Sequence, residues 1–251
     1  IVGGESLGGF NQSYISESEI ALHEELPLKQ KEKQLGYDNH PAYTYRAAEL
    51  LKEPTEKVWG FPYADIVMGC HMANPTEVFR AMLTEKPYPI KAFFVLGNNA
   101  LMSYPNQHQI LEAMMKQELI VAHEIFMTPT AMLADYVLPG DVFTERNHIA
   151  DGWSWTTRLS LSQKAVDAPP EASSSFQFWS DLAKRFGFGN RFPWESLEEI
   201  LDYRLSRSGR TFAEFEEAGY MEFQTPEYQK YKKTGFATPS GKVELYSSVL
   251  E

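Results

Sequence analysis

The chain has one cysteine, a shortage of cationic side chains and no long apolar run, and each shortage excludes a class of protein. Its single cysteine, Cys70, cannot form an internal disulfide or a cluster of cysteine ligands. The 23 lysines and arginines against 34 aspartates and glutamates give a formal net charge of −11. That charge opposes nonspecific attraction to nucleic acid or an anionic membrane. We therefore expect no metal site within the chain and no nucleic-acid partner.

Membrane insertion is also not expected, because no apolar run in the sequence approaches the roughly 18 residues that a spanning helix needs. The 251 residues, 43% hydrophobic and 14% aromatic, are enough for a substantial core in one domain or one and a half. The sequence lacks an initiating methionine and a signal segment. We therefore expect it to be an excerpt of a longer soluble protein.

The middle of the chain alternates between β-rich and amphipathic segments. Strands are predicted at 64–70, 92–96, 119–122 and 136–138. Asn74 with Pro75 predicts one helix start, and apolar spacing predicts a second helix from about Asn106 to Lys116. Alternating strands and helices indicate a parallel sheet with right-handed crossovers. We predict an α/β, three-layer Rossmann-like fold with a mainly parallel sheet, plus irregular and helical additions.

The two ends of the chain are less regular. Before residue 60, short helices are predicted near 26–35 and 43–51. After Pro139 a polar loop is predicted, followed by helices at 174–186, 197–205 and 212–217 and by a turn, a short strand and an extended exit over 236–250. These patterns divide the sequence into a lead-in at 1–60, an α/β core at 61–190 and a helical extension with an exit strand at 191–251.

The loop after the strand at 92–96 is a candidate ligand site. Ligands of doubly wound sheets lie in the crevice outside the carboxyl ends of the strands. Gly97 permits a positive φ there, and Asn98 and Asn99 offer amide donors and acceptors suited to a base or ribose.

The loop after the strand at 119–122 is a second candidate. It contains His123, Glu124 and Thr128. Glu124 could pair with two adjacent N–H groups of a guanine edge or with ribose hydroxyls, and Thr128 could cap a helix that points its positive end at the crevice. The alternative is that asparagine and glycine only make turns and that Glu124 is solvated.

Several motifs resemble one known family. GNNALMSYPN, IVAHEIFMTPTAMLADYVLP and FTERN, then KAVDAPPEASSSFQFWSDLAKRFG and FATPSGKVELYS, are similar in order and spacing to the molybdopterin oxidoreductases of the dimethyl sulfoxide reductase superfamily. The similarity covers most of Lys91–Tyr246. It implies an enzyme that holds molybdenum or tungsten on two pterin guanine dinucleotides. This segment would be the dinucleotide-binding α/β region that receives one guanosine diphosphate arm, with its last residues leading to a C-terminal barrel.

The resemblance also implies roles for individual residues. The turn at Gly97, Asn98 and Asn99 would approach the dinucleotide, and His123 with Glu124 would form a polar pair that contacts it. The resemblance names no catalytic or metal-ligating residue in this chain.

Two further positions follow from the same motifs. Arg146, after Glu145, occupies the place of a basic residue, and a guanidinium suits a diphosphate or a guanine face. Ser175 occupies a position where the family often has an aspartate that contacts guanine. Serine cannot supply a charged bidentate acceptor, so a guanine contact at Ser175 would differ from that pattern.

The leading hypothesis is therefore that the chain is part of a molybdenum or tungsten oxidoreductase, which performs two-electron redox or oxygen-atom transfer. The cofactor would be molybdopterin guanine dinucleotide, and the segment alone would retain none and be inactive. The expected partners are the remaining domains of its own parent chain and an electron-transfer iron–sulfur subunit. Two alternatives remain open: a free-standing nucleotide- or FMN-binding module, and a non-catalytic docking scaffold.

Overall fold

A computed structural model describes residues 15, 25–41, 44–59, 72–150, 158–222, 228–236, 238, 240–243 and 245. The chain divides into two compact units. One, called the sheet unit here, comprises 74–148 and 162–200, and the other comprises 1–73, 149–161 and 201–251. Every residue predicted for the site belongs to the sheet unit. Both units are built from separated segments, and the boundaries predicted at 60 and 190 remain predictions.

The sheet unit is an α/β structure. Its helices are α3 (Pro75–Thr84), α4 (Ala100–Ser103), α5 (Gln107–Met115) and α6 (Ser175–Arg185), and its strands are β1 (Ala92–Leu96), β2 (Leu119–Glu124) and β3 (Tyr136–Pro139). The strands lie parallel in the order β1-β2-β3. The predicted strand at 92–96 is confirmed, and β2 runs two residues further than predicted.

The start of α3 is fixed by local sequence, as predicted. Asn74 is the N-cap, and its Oδ1 accepts hydrogen bonds from the backbone N–H groups of Thr76 and Glu77. Pro75 follows at the first helical position, where its missing N–H costs no helical hydrogen bond. The helix that follows places Phe79 and Met82 in the core.

Helices cover both faces of the parallel sheet. Alternate residues of a strand point to opposite faces, so Phe93 faces one side and Phe94 the other. The first face packs on α3 and α5 through a buried cluster of Phe79, Met82, Ile110, Ala113, Met114 and Ile120. On the second face, the Phe94 ring contacts the rings of Phe178 and Trp179 on α6. The predicted three-layer α/β fold is therefore confirmed.

A second sheet was not predicted. It contains β4 (His148–Ala150), β5 (Arg158–Ser162) and β6 (Tyr220–Glu222) in the order β4-β5-β6, with β5 and β6 antiparallel. The prediction of a polar loop after Pro139 was therefore wrong at β4 and β5. Strands of three residues are too short to show a period in the sequence. In β5 the alternation of leucine and serine was a usable signal, since Leu159 is fully buried.

The other helices are α1 (Leu28–Lys31), α2 (Tyr45–Trp59), α7 (Leu197–Leu205), α8 (Phe212–Ala218) and α9 (Lys230–Thr234). The predicted helix at 197–205 is confirmed. The helix predicted at 43–51 instead continues to Trp59 through Pro54, although an interior proline normally ends a helix. The predicted strand at 64–70 lies outside the described residues. The predicted turn in the tail is present, with the Phe236 N–H donating to the Gly241 carbonyl.

Arg204 of α7 is a buried charged residue outside the sheet unit. Its Nε donates to the Ile15 carbonyl at 3.1 Å, and the Ile15 N–H donates to the Arg204 carbonyl at 2.8 Å. Burial lowers the pKa of Arg204 to about 10. Among the described residues, none of the helices has the length and apolar character needed to cross a membrane.

Candidate functional site at the carboxyl edge of the sheet

The three parallel strands end at nearly the same level. Leu96 is in register with His123, His123 with Leu138, and Glu124 with Pro139. The loops that follow the strands therefore leave the sheet side by side. We call this boundary the carboxyl edge.

The first loop begins with Gly97, whose φ of +57° is the left-handed conformation that glycine adopts without strain. Its N–H donates to the His123 carbonyl at 3.0 Å, which extends the β1–β2 pairing into the loop. Asn98 is exposed, and its side chain makes no hydrogen bond with the described residues. The Asn99 carbonyl accepts from Met102 and Ser103 at the start of α4. The loop is held by its backbone, and the Asn98 amide is available to a ligand.

Asn99 is tied to the second loop through Thr130. The Thr130 hydroxyl donates to Asn99 Oδ1 at 2.8 Å, and the Thr130 N–H donates to the same oxygen at 3.4 Å. The Leu101 N–H in turn donates to Thr130 Oγ1 at 2.9 Å. Thr130 is fully buried. These contacts join the loops after β1 and β2.

Thr128 caps a turn, as predicted, but the turn is not an α-helix. Its Oγ1 accepts from the Ala131 N–H at 3.1 Å. The element that follows, Ala131–Leu133, is a 3₁₀ helix of three residues. So few aligned peptide groups supply little dipole. The short helix expected here is therefore a 3₁₀ helix, whose contribution to the electrostatic potential at the crevice is small.

The His123 side chain lies on the face of the sheet that α6 covers. Its ring is buried and stacks on Phe178, with centroids 5.6 Å apart. Its Nε2 lies 2.9 Å from the Ser173 carbonyl oxygen and 3.3 Å from Ser173 Oγ. Because a carbonyl only accepts, Nε2 carries a hydrogen, and it cannot take a proton from the Ser173 hydroxyl. The structure thus gives His123 a positioning function between β2 and α6.

Glu124 is half-buried at the end of β2. Its Oε2 accepts from the Ile125 N–H at 3.2 Å, and its backbone carbonyl accepts from the Gly140 N–H at 3.0 Å. Oε1 has no partner among the described residues. One carboxylate oxygen therefore remains available at the carboxyl edge.

Ser173 brings the start of α6 to the same edge. Its N–H donates to the Pro139 carbonyl at 3.0 Å, and its carbonyl accepts from the Asp141 N–H at 3.1 Å. Gly140 and Ser173 form an isolated parallel bridge. Ser174 then caps α6, its Oγ accepting from the Gln177 N–H at 3.1 Å, and Ser175 is the exposed first residue of the helix. The amino end of an eleven-residue helix thus lies beside β3.

Arg146 is paired with Asp141. Its Nη1 donates to the Asp141 carbonyl at 3.0 Å and to the Asp141 carboxylate. The Asp141 side chain is only 7% exposed, whereas that of Arg146 is 32% exposed. Arg146 Nε and Nη2 have no partner among the described residues. Glu145 has a different function, since its Oε2 accepts from the Val142 N–H at 2.8 Å and closes the turn.

Three residues of this arrangement were missed in the sequence: Thr130, Asp141 and Ser173. Asp141 follows β3 directly, so the rule that selected the first two loops applied to it as well. Thr130 and Ser173 act through contacts with residues far away in sequence, and they had no local signal.

The arrangement is suited to holding a ligand. Donors come from Asn98, Arg146 and the first turn of α6, and Glu124 supplies an acceptor. Among the described residues, no group of three or more histidines, cysteines, aspartates or glutamates could hold a metal ion. A positive helix end beside a guanidinium is a typical anion site.

Comparisons with known proteins agree on one family. The model of the family "Molybdopterin oxidoreductase" matches residues 39–185. Acetylene hydratase of Syntrophotalea acetylenica is 45% identical over 249 residues, which are 99% of this chain and 34% of that protein. The molybdopterin-containing subunit of thiosulfate reductase from Salmonella typhimurium is 26% identical over 200 residues, which are 70% of this chain and 26% of that protein.

A solved structure supports the same relationship. Acetylene hydratase from Pelobacter acetylenicus matches with a TM-score of 0.80 and 44% identity, over 94% of this chain and 32% of that chain. The chain therefore spans about a third or less of the length of these relatives.

Proposed function

The chain belongs to the molybdopterin oxidoreductase family, within the dimethyl sulfoxide reductase superfamily, and from this premise we propose that its carboxyl edge binds a guanosine diphosphate arm of a bis-molybdopterin guanine dinucleotide cofactor. The cofactor, with molybdenum or tungsten, supplies the redox chemistry when bound. The residues of this chain bind and orient one arm of it.

One observation carries the proposal: a chain of contacts joins Arg146 to the start of α6. Arg146 pairs with Asp141, the Asp141 N–H donates to the Ser173 carbonyl, and α6 begins two residues later. A guanidinium that is 32% exposed and the positive end of a helix are thus linked through Asp141 and Ser173 at the carboxyl edge. Both favour a diphosphate, because its oxygens can accept from Nε and Nη2 of Arg146, which Asp141 leaves unused, and from backbone N–H groups at the start of the helix.

The remaining polar groups suit the nucleoside. Glu124 keeps one carboxylate oxygen free and accepts from the N–H groups of a guanine edge or from ribose hydroxyls. Asn98 supplies exposed amide groups. Ser175 has an exposed hydroxyl at the helix start, and it offers a weaker, uncharged contact than an aspartate would. His123 orients the site through Ser173 without contacting the ligand by its ring.

We also propose that the sequence is part of a longer enzyme whose other domains complete the cofactor site. The chain spans 34% of the length of acetylene hydratase, and several large apolar side chains are exposed on loops at the carboxyl edge. The partners are then the remaining domains of the parent chain and an electron-transfer iron–sulfur subunit. On this proposal the 251-residue chain alone retains no cofactor and is inactive.

The complete enzyme has two candidate reactions. The family name and the reductases among its relatives favour two-electron redox or oxygen-atom transfer. The relative that is 45% identical over 99% of this chain is, by its name, a hydratase, and this identity favours hydration of an alkyne as a second candidate. Assays of the complete protein for acetylene hydration and for dye-linked reduction separate the two reactions.

The binding proposal is tested by titration calorimetry of GDP and, separately, of FMN into the cofactor-free complete protein. Arg146→Lys keeps a cation opposite Asp141 but removes the two-pronged donor, so we expect GDP affinity to fall about tenfold. Arg185→Lys, an exposed arginine at the end of α6, is the matched control and should bind GDP as the wild type does.

Three other outcomes would contradict the proposal. Equal GDP affinity in wild type and Arg146→Lys contradicts the assignment of Arg146. Preference for FMN over GDP favours a free-standing flavin-binding module. Binding of neither nucleotide favours a docking scaffold.

A further inference from the structure

We propose that Thr130 is a positioning residue that fixes the orientation of the Asn99 amide, so that the first loop presents a hydrogen-bond donor to a ligand acceptor group. The inference rests on the proposed function and adds to it that, in one contact, Asn99 is the hydrogen-bond donor and the ligand is the acceptor. The acceptor group is a phosphate oxygen, a ribose oxygen or a base carbonyl of a nucleoside diphosphate.

The orientation follows from which groups can only donate. The Thr130 N–H points at the Asn99 amide oxygen at 3.4 Å, and a backbone N–H never accepts. The Leu101 N–H donates to Thr130 Oγ1 at 2.9 Å, so it occupies one lone pair of that hydroxyl. The hydroxyl hydrogen is then directed to Asn99 Oδ1 at 2.8 Å.

A reversed amide is excluded by the same contacts. Rotation by half a turn would place the Asn99 NH₂ group against the Thr130 N–H. Two donors would then face each other beside a residue that is fully buried, where water cannot repair the lost hydrogen bond. Asn99 therefore keeps Oδ1 on Thr130 and directs Nδ2 elsewhere.

The result is a loop with a fixed polarity. Asn99 is half-exposed, and its Nδ2 has no hydrogen bond with the described residues. Only a group with a lone pair satisfies that amide hydrogen. An asparagine on a loop usually adapts its amide to either kind of ligand group, and Thr130 removes this freedom.

The experiment compares variants of the cofactor-free complete protein by titration calorimetry with GDP, guanosine and inorganic pyrophosphate. Thr130→Val removes the hydroxyl at nearly constant shape, and we expect GDP affinity to fall about tenfold. Thr130→Ser keeps the hydroxyl and should restore affinity close to that of wild type. A residue that only filled space would instead be replaced well by valine.

A second variant tests the inference even if Thr130→Val does not fold. Asn99→Asp keeps the acceptor that Thr130 binds but removes the outward NH₂ group, so we expect unchanged thermal stability and a loss of GDP affinity of about tenfold or more. Asn190→Asp, an exposed asparagine in the sheet unit, adds the same charge and should leave binding unchanged.

Comparing the three ligands shows which part of GDP carries the group that accepts the Asn99 hydrogen bond. Sensitivity of pyrophosphate binding to Asn99→Asp places it on the diphosphate, and sensitivity of guanosine binding places it on the nucleoside. Either pattern supports the inference. Wild-type GDP affinity in Asn99→Asp or in Thr130→Val overturns it while leaving the proposed function intact. Failure of the wild-type protein to bind GDP overturns the proposed function and this inference with it.

Discussion

Several side chains of the candidate site offer a ligand only part of their hydrogen-bonding capacity. Asn99 gives its oxygen to Thr130, Arg146 gives Nη1 to Asp141, and Glu124 gives Oε2 to a neighbouring N–H. What remains is one amide donor, the other guanidinium nitrogens and one carboxylate oxygen. Each remaining group has its direction fixed by the contact that the protein already makes. A ligand therefore meets groups that lose little side-chain entropy on binding.

Gly140 is a residue-scale test of this positioning. A Cβ at this position would lie 3.2 Å from Cε1 of His123, whose Nε2 bonds Ser173. In Gly140→Ala the buried ring must shift, so we expect the free energy of unfolding to fall by about 1–3 kcal/mol. Urea unfolding followed by circular dichroism measures the loss.

The matched control is Gly189→Ala. There the nearest atom to a new Cβ is Cγ of Lys184 at 3.5 Å, which is ordinary contact with a flexible side chain. We expect no loss of stability in this variant. Equal stability of Gly140→Ala and wild type would show that the ring of His123 is not held as tightly as the structure indicates.

At the scale of elements, helix ends are set by local hydrogen bonds that can be tested singly. Thr211 and Glu214 form a capping box at the start of α8. The Glu214 carboxylate accepts from the Thr211 N–H at 2.8 Å, and the Glu214 N–H donates to Thr211 Oγ1 at 3.3 Å. The backbone N–H of Thr211, and then its hydroxyl, lower the pKa of the Glu214 carboxyl group.

The lowered pKa of Glu214 predicts how stability depends on pH. The folded state holds the carboxylate, so its stabilisation is present above the unfolded-state pKa and is lost as pH falls through the lower folded-state pKa. We expect Glu214→Gln to be less stable than wild type at neutral pH and equally stable at pH values below the folded-state pKa. Urea midpoints measured across this range test the expectation.

A control for the helix itself is Glu217→Gln. Glu217 lies near the other end of α8 and is not one of the two residues that form the capping box. Its replacement should not lower stability at neutral pH. A deficit in Glu214→Gln that persisted unchanged in acid would assign the effect to something other than the ionised carboxylate.

A helix or strand was predictable where its own residues carry a sequence pattern, and not where it depends on pairing with a distant segment. The start of α3 follows from two adjacent residues, Asn74 and Pro75, and β1 from five consecutive apolar or aromatic ones. β4 and β6 have three residues each and depend on pairing with β5, so their own sequence carried no period. The second loop was predicted to begin a helix, and it forms a 3₁₀ turn because β3 starts three residues after Leu133.

At the scale of the whole molecule, several large apolar side chains are exposed on adjacent loops at the carboxyl edge. Ile125, Phe126 and Met127 follow β2, Met132 lies in the next turn, and Phe143 follows β3; all five are more than half exposed. Single exposed apolar residues are common, but several on adjacent loops are typical of a surface that another protein segment covers. The short coverage of the relatives agrees with that interpretation.

This interpretation predicts a difference between the chain alone and the complete protein. Hydroxyl-radical footprinting should oxidise Met127 and Met132 quickly in the 251-residue chain and much more slowly in the complete protein. Met115, 69% exposed at the end of α5 before β2 begins, should change less. Equal oxidation of Met127 in both proteins would contradict the proposed covering of the edge.

The sequence by itself determined the α/β class, the parallel direction of the strands and the positions of the loops at their ends, because hydrophobic period and helix caps are local properties. The family also follows from motifs that lie in the sequence. Tertiary structure alone decided which partner each candidate site residue contacts. His123 meets Ser173, 50 residues away, and Asn99 meets Thr130, 31 residues away. The direction of a polar side chain depends on the partner it finds in the fold, and no local pattern specifies that partner.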